Sequence, residues 1–386
     1  MACRQIWQDI YAIESFKSTT SLTSILAIPP QFSGTKGLRG TFATNQKYNL
    51  LVDDAYPLVK AANAVVEKNL ATGKSLQNTI SITPVTARPE TVTIPVVFNA
   101  HNLSMFLRLF FQDGVTLGNG VTNTALQIMT VVPYDSACPI VFGNLVRFRQ
   151  DEPDVDAVDQ ALQGITPVRI VVRGAEGGLI EGEVEFYGAK WEDYDLSAKV
   201  VAASLFDTLP PLKFEDLTVK LDATAVSIPS FEFTFERTVV TQYYNQVSAQ
   251  SVTMGRLMVT GTITVPWNDP YSIQANQQVV IGNYRAGTLV RVSLVWGNAA
   301  FTQFTVGQTT PPTGDVDVLT AGAKNLVVGN YFGIHTIVKL TDYDENDIDE
   351  VPMVPMTFKS VEDSQSTVAG ITMRLGYVKV DNDWTE

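Results

Sequence analysis

Hydrolysis or group transfer needs a nucleophile beside a base, or a metal held by several ligands, and this chain offers only His101 and His335 as imidazoles. His101 follows a strand-like segment at what reads as a helix start. His335 sits between Ile334 and Thr336 inside a strand pattern, so both read as ordinary polar residues. The sequence holds no Gly-x-Ser-x-Gly, no His-Glu-x-x-His, no Walker A loop and no Gly-x-Gly-x-x-Gly after a strand. Cys3 and Cys138 are the only cysteines, too few for a disulfide framework or a zinc site, and they fit a reducing compartment.

Two acidic runs have the oxygen donors a hard cation would need. Asp342-Tyr343-Asp344-Glu345-Asn346-Asp347 begins like a calcium loop. Its sixth residue is Asp347 where glycine is required, however, and its twelfth is Met353 where a bidentate glutamate should stand. Asp151-Glu152-Pro153-Asp154-Val155-Asp156 has no such spacing, and both runs read as solvated loops. Forty acidic residues guarantee some neighbouring carboxylates, yet nothing singles out a glycosidase pair. No catalytic, cofactor-binding or metal-ligating residue is predicted, and the chain is not expected to be an enzyme.

The elements that would have to carry any site are mostly strands. Segments of about five to nine residues rich in Val, Ile, Thr, Phe and Tyr alternate with period two between Gly, Pro, Asn and Asp. Ser230 to Arg237 puts three phenylalanines on one face and Ser, Glu and Thr on the other. Gly182 to Tyr187 and Arg256 to Val265 read the same way. The best helix is Asn102 to Phe111, capped by Asn102 or Ser104. Asp269 to Gln277 holds the corresponding place in the second half, and Asp151 to Gln163 adds an acidic helical turn.

Four apolar segments of the first half recur in the second at an offset of 169 or 170 positions. Lys47 to Asp53 matches Asp216 to Asp222, and Thr91 to Asn99 matches Thr260 to Asn268. Pro167 to Ile170 matches Ile337 to Leu340, and Val184 to Phe186 matches Val354 to Met356. Four matches in one order predict a duplicated domain, and 386 residues suffice for two such domains plus arms. The expected division is an N-terminal arm over 1–33, domains over 34–200 and 201–370, and a C-terminal strand or arm over 371–386. Residues 196–212, ending in Pro210-Pro211, form a stiff junction between them.

Charged residues are only 17% of the chain against 45% apolar, which suits a protein that buries faces against its own copies. The net charge is −13, with −4 in residues 1–200 and −9 in 201–386, and no basic stripe is present to grip phosphates. The N-terminal sixteen residues lack an apolar core followed by a cleavage site, and no run of 18 apolar residues occurs, so neither a signal peptide nor a membrane span is expected. Long loops are read over 34–46, 115–123 and 307–322. A polar extension over Val239 to Thr253 is too long for a tight hairpin and reads as an interaction arm.

The second half carries a specific resemblance. Leu212 to Val226, then Ile228 to Thr234, then Gly255-Arg256-Leu257-Met258-Val259-Thr260-Gly261-Thr262-Ile263-Thr264-Val265 resembles the major tail tube proteins of phages with long, non-contractile tails. The shared pattern is a Phe-x-Asp strand, a tight turn, a Ser-Phe strand, a long loop, and Gly-Arg-x-x-Val-Thr-Gly opening the next strand. Ala223 stands where the family's turn has glycine, and the likeness covers roughly residues 165–270.

The resemblance implies a mainly β fold of two tandem β-sandwich or barrel-like tube domains, each with a short flanking helix. Their sheets would join edge to edge into an inner β-barrel. Because a single-domain member forms rings of six, two domains per chain imply a trimeric, pseudo-six-fold ring. It further implies stacked rings in a virion tail, made in the host cytoplasm, with tape measure and tail terminator or tip proteins as partners and DNA in transient passage. No cofactor and no membrane insertion are implied. Lys36, Arg39, Gln242, Tyr243, Tyr244, Asn245 and Gln246 are the expected contacts between rings or subunits. The competing expectations are another virion component, such as a decoration or baseplate subunit, and a β-sandwich binding or carbohydrate-active module.

Overall fold

Period-two alternation becomes strand among the described residues, and the computed structural model is mainly β. In chain order it has β1 (Gln8–Ser15), α1 (Leu22–Ala27), β2 (Gln46–Asn49), β3 (Val66–Thr72), β4 (Leu76–Ile82), β5 (Val92–Val97) and α2 (Ala100–Phe111). There follow β6 (Thr116–Asn119), β7 (Leu126–Thr130), β8 (Gly143–Gln150), β9 (Gln160–Ala175), β10 (Glu181–Tyr187) and β11 (Lys190–Asp193). The second half adds β12 (Leu217–Leu221), β13 (Thr224–Val226), β14 (Ser230–Gln242), β15 (Ser251–Pro266), β16 (Leu289–Trp296), β17 (Phe332–Tyr343), β18 (Asn346–Ile348), β19 (Val351–Ser360) and β20 (Arg374–Val378). The structure describes these elements and the residues at 91, 98–99, 142, 176–180, 188–189, 211–216, 227–229 and 286–287.

Eighteen of these strands form one antiparallel hydrogen-bonded sheet, which does not close into a barrel among the described residues; β3 and β4 form a separate pair. Its central run is β5, β10, β9, β14, β15, β19 and β17, each hydrogen-bonded to the next. The segments that match in sequence also occupy matching places. In the first half β10 lies between β5 and β9; in the second, β19 lies between β15 and β17. Val184 faces Ile94 in the first trio, whereas Val354 faces Val265, two residues beyond the position the offset would give. Ile170 faces Val184, while Leu340 faces Phe358, a shift of four. Both shifts are even, so every side chain keeps its face of the sheet.

One face of the run is buried. Ile94 and Val96, Val184 and Phe186, Ile170 and Val172, Phe231, Phe233 and Phe235, Val259 and Ile263, and Met356 and Phe358 all point into a single core. Helix α2 covers part of this face with Leu103, Phe106, Leu107 and Phe110, spaced at three and four as one helical stripe requires. Phe106 meets Phe98 edge-on at 6.4 Å and Phe186 at 5.8 Å, and Phe110 meets Phe235 at 6.3 Å. The core therefore runs without a break from the first-half helix to second-half strands.

The predicted helix starts two residues early, and its cap is a different residue. Asn99 accepts from the Asn102 backbone N–H through Oδ1 at 2.8 Å, while Asn102 Oδ1 accepts from Asn99 N–H at 2.9 Å. This is a reciprocal capping box in which asparagine replaces the usual glutamate, so Asn102 is the third helical position and not the cap. Other expectations change as well. Thr116 to Asn119 is strand and not loop, because it pairs with β7. Residues 160–163 belong to β9 and not to an acidic helical turn. Within the expected N-terminal arm, Gln8 to Ser15 pairs along its whole length with β8, and its end pairs with β2. The helix expected over 269–277, the loop over 307–322 and most of the junction lie outside the described residues. The junction's end is fastened to the first half: Leu212 N–H donates to Phe98 O, and Leu212 O accepts from Ile180 N–H, each at 2.8 Å.

The two glycines of the Gly-Arg-x-x-Val-Thr-Gly segment lie where strands approach too closely for a side chain. A Cβ on Gly255 would collide with Thr238 Oγ1. One on Gly261 would collide with the Phe358 ring and lie 2.6 Å from the backbone oxygen of Glu232, which cannot swing away. Gly261→Ala is expected to destabilise the fold by about 1–3 kcal/mol through overpacking, read as a lower urea midpoint. An unchanged midpoint would mean that β14 and β19 are not packed as tightly as described.

Candidate functional site

The opposite face of the central run is not covered by the helix, and its residue types follow directly from the alternation. β10 contributes Glu181, Glu183 and Glu185; β9 contributes Arg169 and Arg173; β14 contributes Glu232, Thr234 and Glu236. β15 adds Thr260 and Thr262, β19 adds Thr357 and Lys359, and β17 adds Lys339 and Asp342. Six carboxylates thus stand among four cations and several threonines, with Val171 buried between Arg169 and Arg173 and no aromatic ring among these residues. Such a face offers no stacking platform for bases or sugars among its described residues, and two of its cations, Lys339 and Lys359, stand directly opposite each other on β17 and β19.

The charges are ordered by register. Arg173 lies directly opposite Glu181 on one side and Glu232 on the other, and Arg169 lies opposite Glu185 and Glu236. Arg173 Nε is 3.7 Å from Glu181 Oε1, and Arg169 Nη1 is 3.9 Å from Glu183 Oε2. These side chains remain 38–52% exposed, so each pair contributes only about 0–1 kcal/mol. Their effect is on the surface potential more than on stability. A depression of about 500 Å³ at one end of the face is lined by Arg173, Leu179, Glu181, Ser230, Glu232 and Thr262, among others.

The expected arm over 239–253 is more regular than its polar composition suggested. Val239 to Gln242 continues β14 and Ser251 to Thr253 begins β15, so the segment is the distal part of a long hairpin. Ser251 Oγ donates to Gln242 Oε1 at 3.0 Å across its last described rung. Past the register shift at Arg237/Val239 the burial pattern changes. Val240 is 58% exposed and its neighbours are half-buried or exposed, so this stretch stands clear of the core on both faces. Of the expected contact residues, Gln242 is at the end of this hairpin; Lys36, Arg39, Tyr243, Tyr244, Asn245 and Gln246 lie outside the described residues.

Arg237 sits at the foot of the hairpin and was not singled out from sequence. It is buried, its guanidinium carbon lies 4.3 Å from the centroid of Phe110, and Nη1 donates to Met254 Sδ at 3.3 Å. Its Nε has no partner among the described residues, and burial lowers its pKa to about 10. The sequence signal was an arginine in phase with Phe231, Phe233 and Phe235 on the apolar side of one strand.

The two histidines lie on different elements. His101 belongs to α2, and His335 lies in β17 opposite Ser293 and Arg374. The second acidic run is less of a loop than expected, since Asp342 and Tyr343 end β17 and Asn346 and Asp347 begin β18. No group of three metal-ligating side chains comes together among the described residues, and the run over 151–156 lies outside them. None of the described helices is long and apolar enough to cross a membrane. No protein-family model matches the chain, and no curated protein matches it either.

Proposed function

We propose that this chain is the ring-forming subunit of a phage tail tube, with three copies closing a ring of six similar positions and stacked rings conducting the genome. The observation that carries this reading is an unfilled place in the repeat. β9 has β8 and then β14 along one edge, and β10 continued by β11 along the other. β17 is matched in detail: β16 takes the place of β8, β19 that of β10, and β20 that of β11. Only the counterpart of β14 is missing: among the described strands, none continues the β16 edge of β17 beyond Lys339. At an offset of 170 the counterpart of Glu236 to Gln242 in β14 is β3, which forms no pairing with the main sheet.

Within one chain, then, the β9–β14 junction joins first half to second. Between chains, the segment ending in β3 of one copy would join β17 of the next, repeating the same junction. A head-to-tail contact of this kind forms a ring when its rotation closes after three copies, and the closed ring removes exposed edges. The polar face lines the channel, α2 lies outside, and the hairpin of β14 and β15 reaches the neighbouring ring. The likeness to tail tube proteins supplies the tape measure, terminator and tip proteins as further partners.

Negative-stain microscopy of the concentrated protein is expected to show rings or tubes with a central channel. Dispersed particles at every concentration and salt would sink the proposal. In a Cys3→Ser/Cys138→Ser background, pairing Val66→Cys with Thr341→Cys should give covalent oligomers ending at three chains on a non-reducing gel. Tyr343→Cys in place of Thr341→Cys tests the adjacent register. Tubes without crosslinks in either register would refute this edge while leaving the tube itself standing.

A further inference from the structure

We propose that Glu181, Glu185, Glu232 and Glu236 cage Arg169 and Arg173, so that the open face carries arginines that a polyphosphate cannot reach. This rests on reading the face as the wall of a conduit, and it assigns the residues that keep the wall from adhering to what passes.

A lone arginine on a sheet is a ready phosphate ligand, because its planar fork binds phosphate oxygens in pairs. Here each of the two has a glutamate directly opposite it on both neighbouring strands. Cross-strand partners have Cβ atoms about 4.5–5.5 Å apart, so an approaching phosphate would meet two carboxylates before or together with each guanidinium. The flanking acids come from different halves of the chain: Glu181 and Glu185 from β10, Glu232 and Glu236 from β14. The depression beside Arg173 sharpens the point. It is concave and contains an arginine, as an anion site would be, yet Glu181 and Glu232 also line it.

The arginines have a separate use on the same strand. Arg169 and Arg173 face Glu236 and Glu232 across the β9–β14 junction, two charged rungs four residues apart. A slip of β14 by one residue would turn Glu232 and Glu236 into the core, and a slip of two would break the opposite-charge pairing at both rungs. Cations that fix the junction can therefore be present on this face only if they are masked from the cargo.

The test is binding of a fluorescent duplex oligonucleotide by the dispersed full-length chain, read by anisotropy across a salt series. The native protein is expected to show no binding at physiological salt. Glu181→Gln/Glu185→Gln/Glu232→Gln/Glu236→Gln should bind at least about tenfold tighter, with a log–log salt slope steeper by about one, for Arg173, because Glu183 remains 3.9 Å from Arg169. Adding Arg169→Gln/Arg173→Gln should return affinity to the native level. So should Glu176→Gln/Glu215→Gln, two exposed acids outside the cage that change net charge by the same amount as this six-fold variant. A quadruple variant that ignores DNA, or a gain that survives loss of both arginines, overturns the caging. If the quadruple variant does not fold by circular dichroism, Glu232→Gln/Glu236→Gln opens one side of each cage and should give a smaller gain that the same arginine substitutions abolish. Because the measurement uses unassembled protein, failure to form tubes would leave it intact, and a failed gain in a protein that does form tubes would reject the caging alone.

Discussion

Phe233→Ala is expected to cost about 3–5 kcal/mol, a large share of the roughly 5–15 kcal/mol that holds a typical domain folded. Phe233 is fully buried at the middle of β14 and meets Phe358 at 4.9 Å, Phe231 at 6.3 Å and Phe235 at 6.5 Å. Its backbone pairs with Val172 of the first half and Gly261 of the second. The ring thus fills the core on the strand that pairs with β9 to join the two halves of the central run. A cavity there cannot collapse easily, because the walls are strands tied on both sides by hydrogen bonds. Urea denaturation of the variant checks the magnitude, and Phe233→Leu, which keeps most of the volume, should lose less than half as much. A loss below about 1 kcal/mol for the alanine variant would mean that β14 is not the packed centre of the sheet.

Arg237→Met should have the opposite sign. The guanidinium is buried against Phe110, and the lowering of its pKa to about 10 by burial corresponds to about 3 kcal/mol of destabilisation of the charged form. Its placement over the ring returns about 1–2 kcal/mol. Methionine has similar length, needs no hydrogen bonds and keeps the contact with Met254 and Phe110, so a net gain of about 1–2 kcal/mol is expected near neutral pH.

The pH dependence follows from the direction of the shift. A base whose folded pKa lies below its unfolded value binds fewer protons when folded, so native stability rises with pH from about 10 up to the ordinary arginine value. The advantage of Arg237→Met should therefore be complete below pH 10 and shrink above it, with other titrating groups cancelling in the difference between the two proteins. A methionine variant less stable than the native chain at pH 7 would show that the contacts of the guanidinium with Phe110 and Met254 outweigh the cost of burying it.

The strands were legible in the sequence because the sheet has one wet and one dry face, and alternation records that difference directly. Ser230 to Arg237 is the plainest case: Phe231, Phe233 and Phe235 are buried, and Glu232 and Glu236 are exposed. What alternation cannot record is which strand lies beside which. The repeat gave matching segments, but the places they take around β10 and β19 depend on contacts between residues far apart in the chain. The same gap explains the charged face. Arg169, Arg173, Glu181 and Glu232 were visible as polar residues on separate strands, and only the cross-strand register turns them into alternating rows.

Short, polar elements were misread for a different reason. Thr116 to Asn119 contains two of the glycine and asparagine residues that usually mark a loop, yet β7 lends it a ladder to join. The distal hairpin was read as irregular because its apolar content is too low for a core. It is strand because its two arms satisfy each other's backbone and need no core. The helix cap was placed three residues late because Asn102, the more obvious polar residue, performs the second half of the capping box while Asn99 performs the first.

The pairing of β20 with β7 sets Leu375 opposite Met129, and that of β1 with β8 sets Ile13 opposite Leu145. Each closes a very large loop of chain, and such distant pairings are the ones that slow folding most. During synthesis the edge of β7 cannot be covered until β20 has left the ribosome, long after the first-half core could have formed. The nascent chain therefore spends most of its elongation with a bare strand edge, which is the state in which β proteins stick to one another. A cell making many copies at once would gain from keeping neighbouring nascent chains apart, by chaperone occupancy or by spacing of ribosomes, until the last strand is in place.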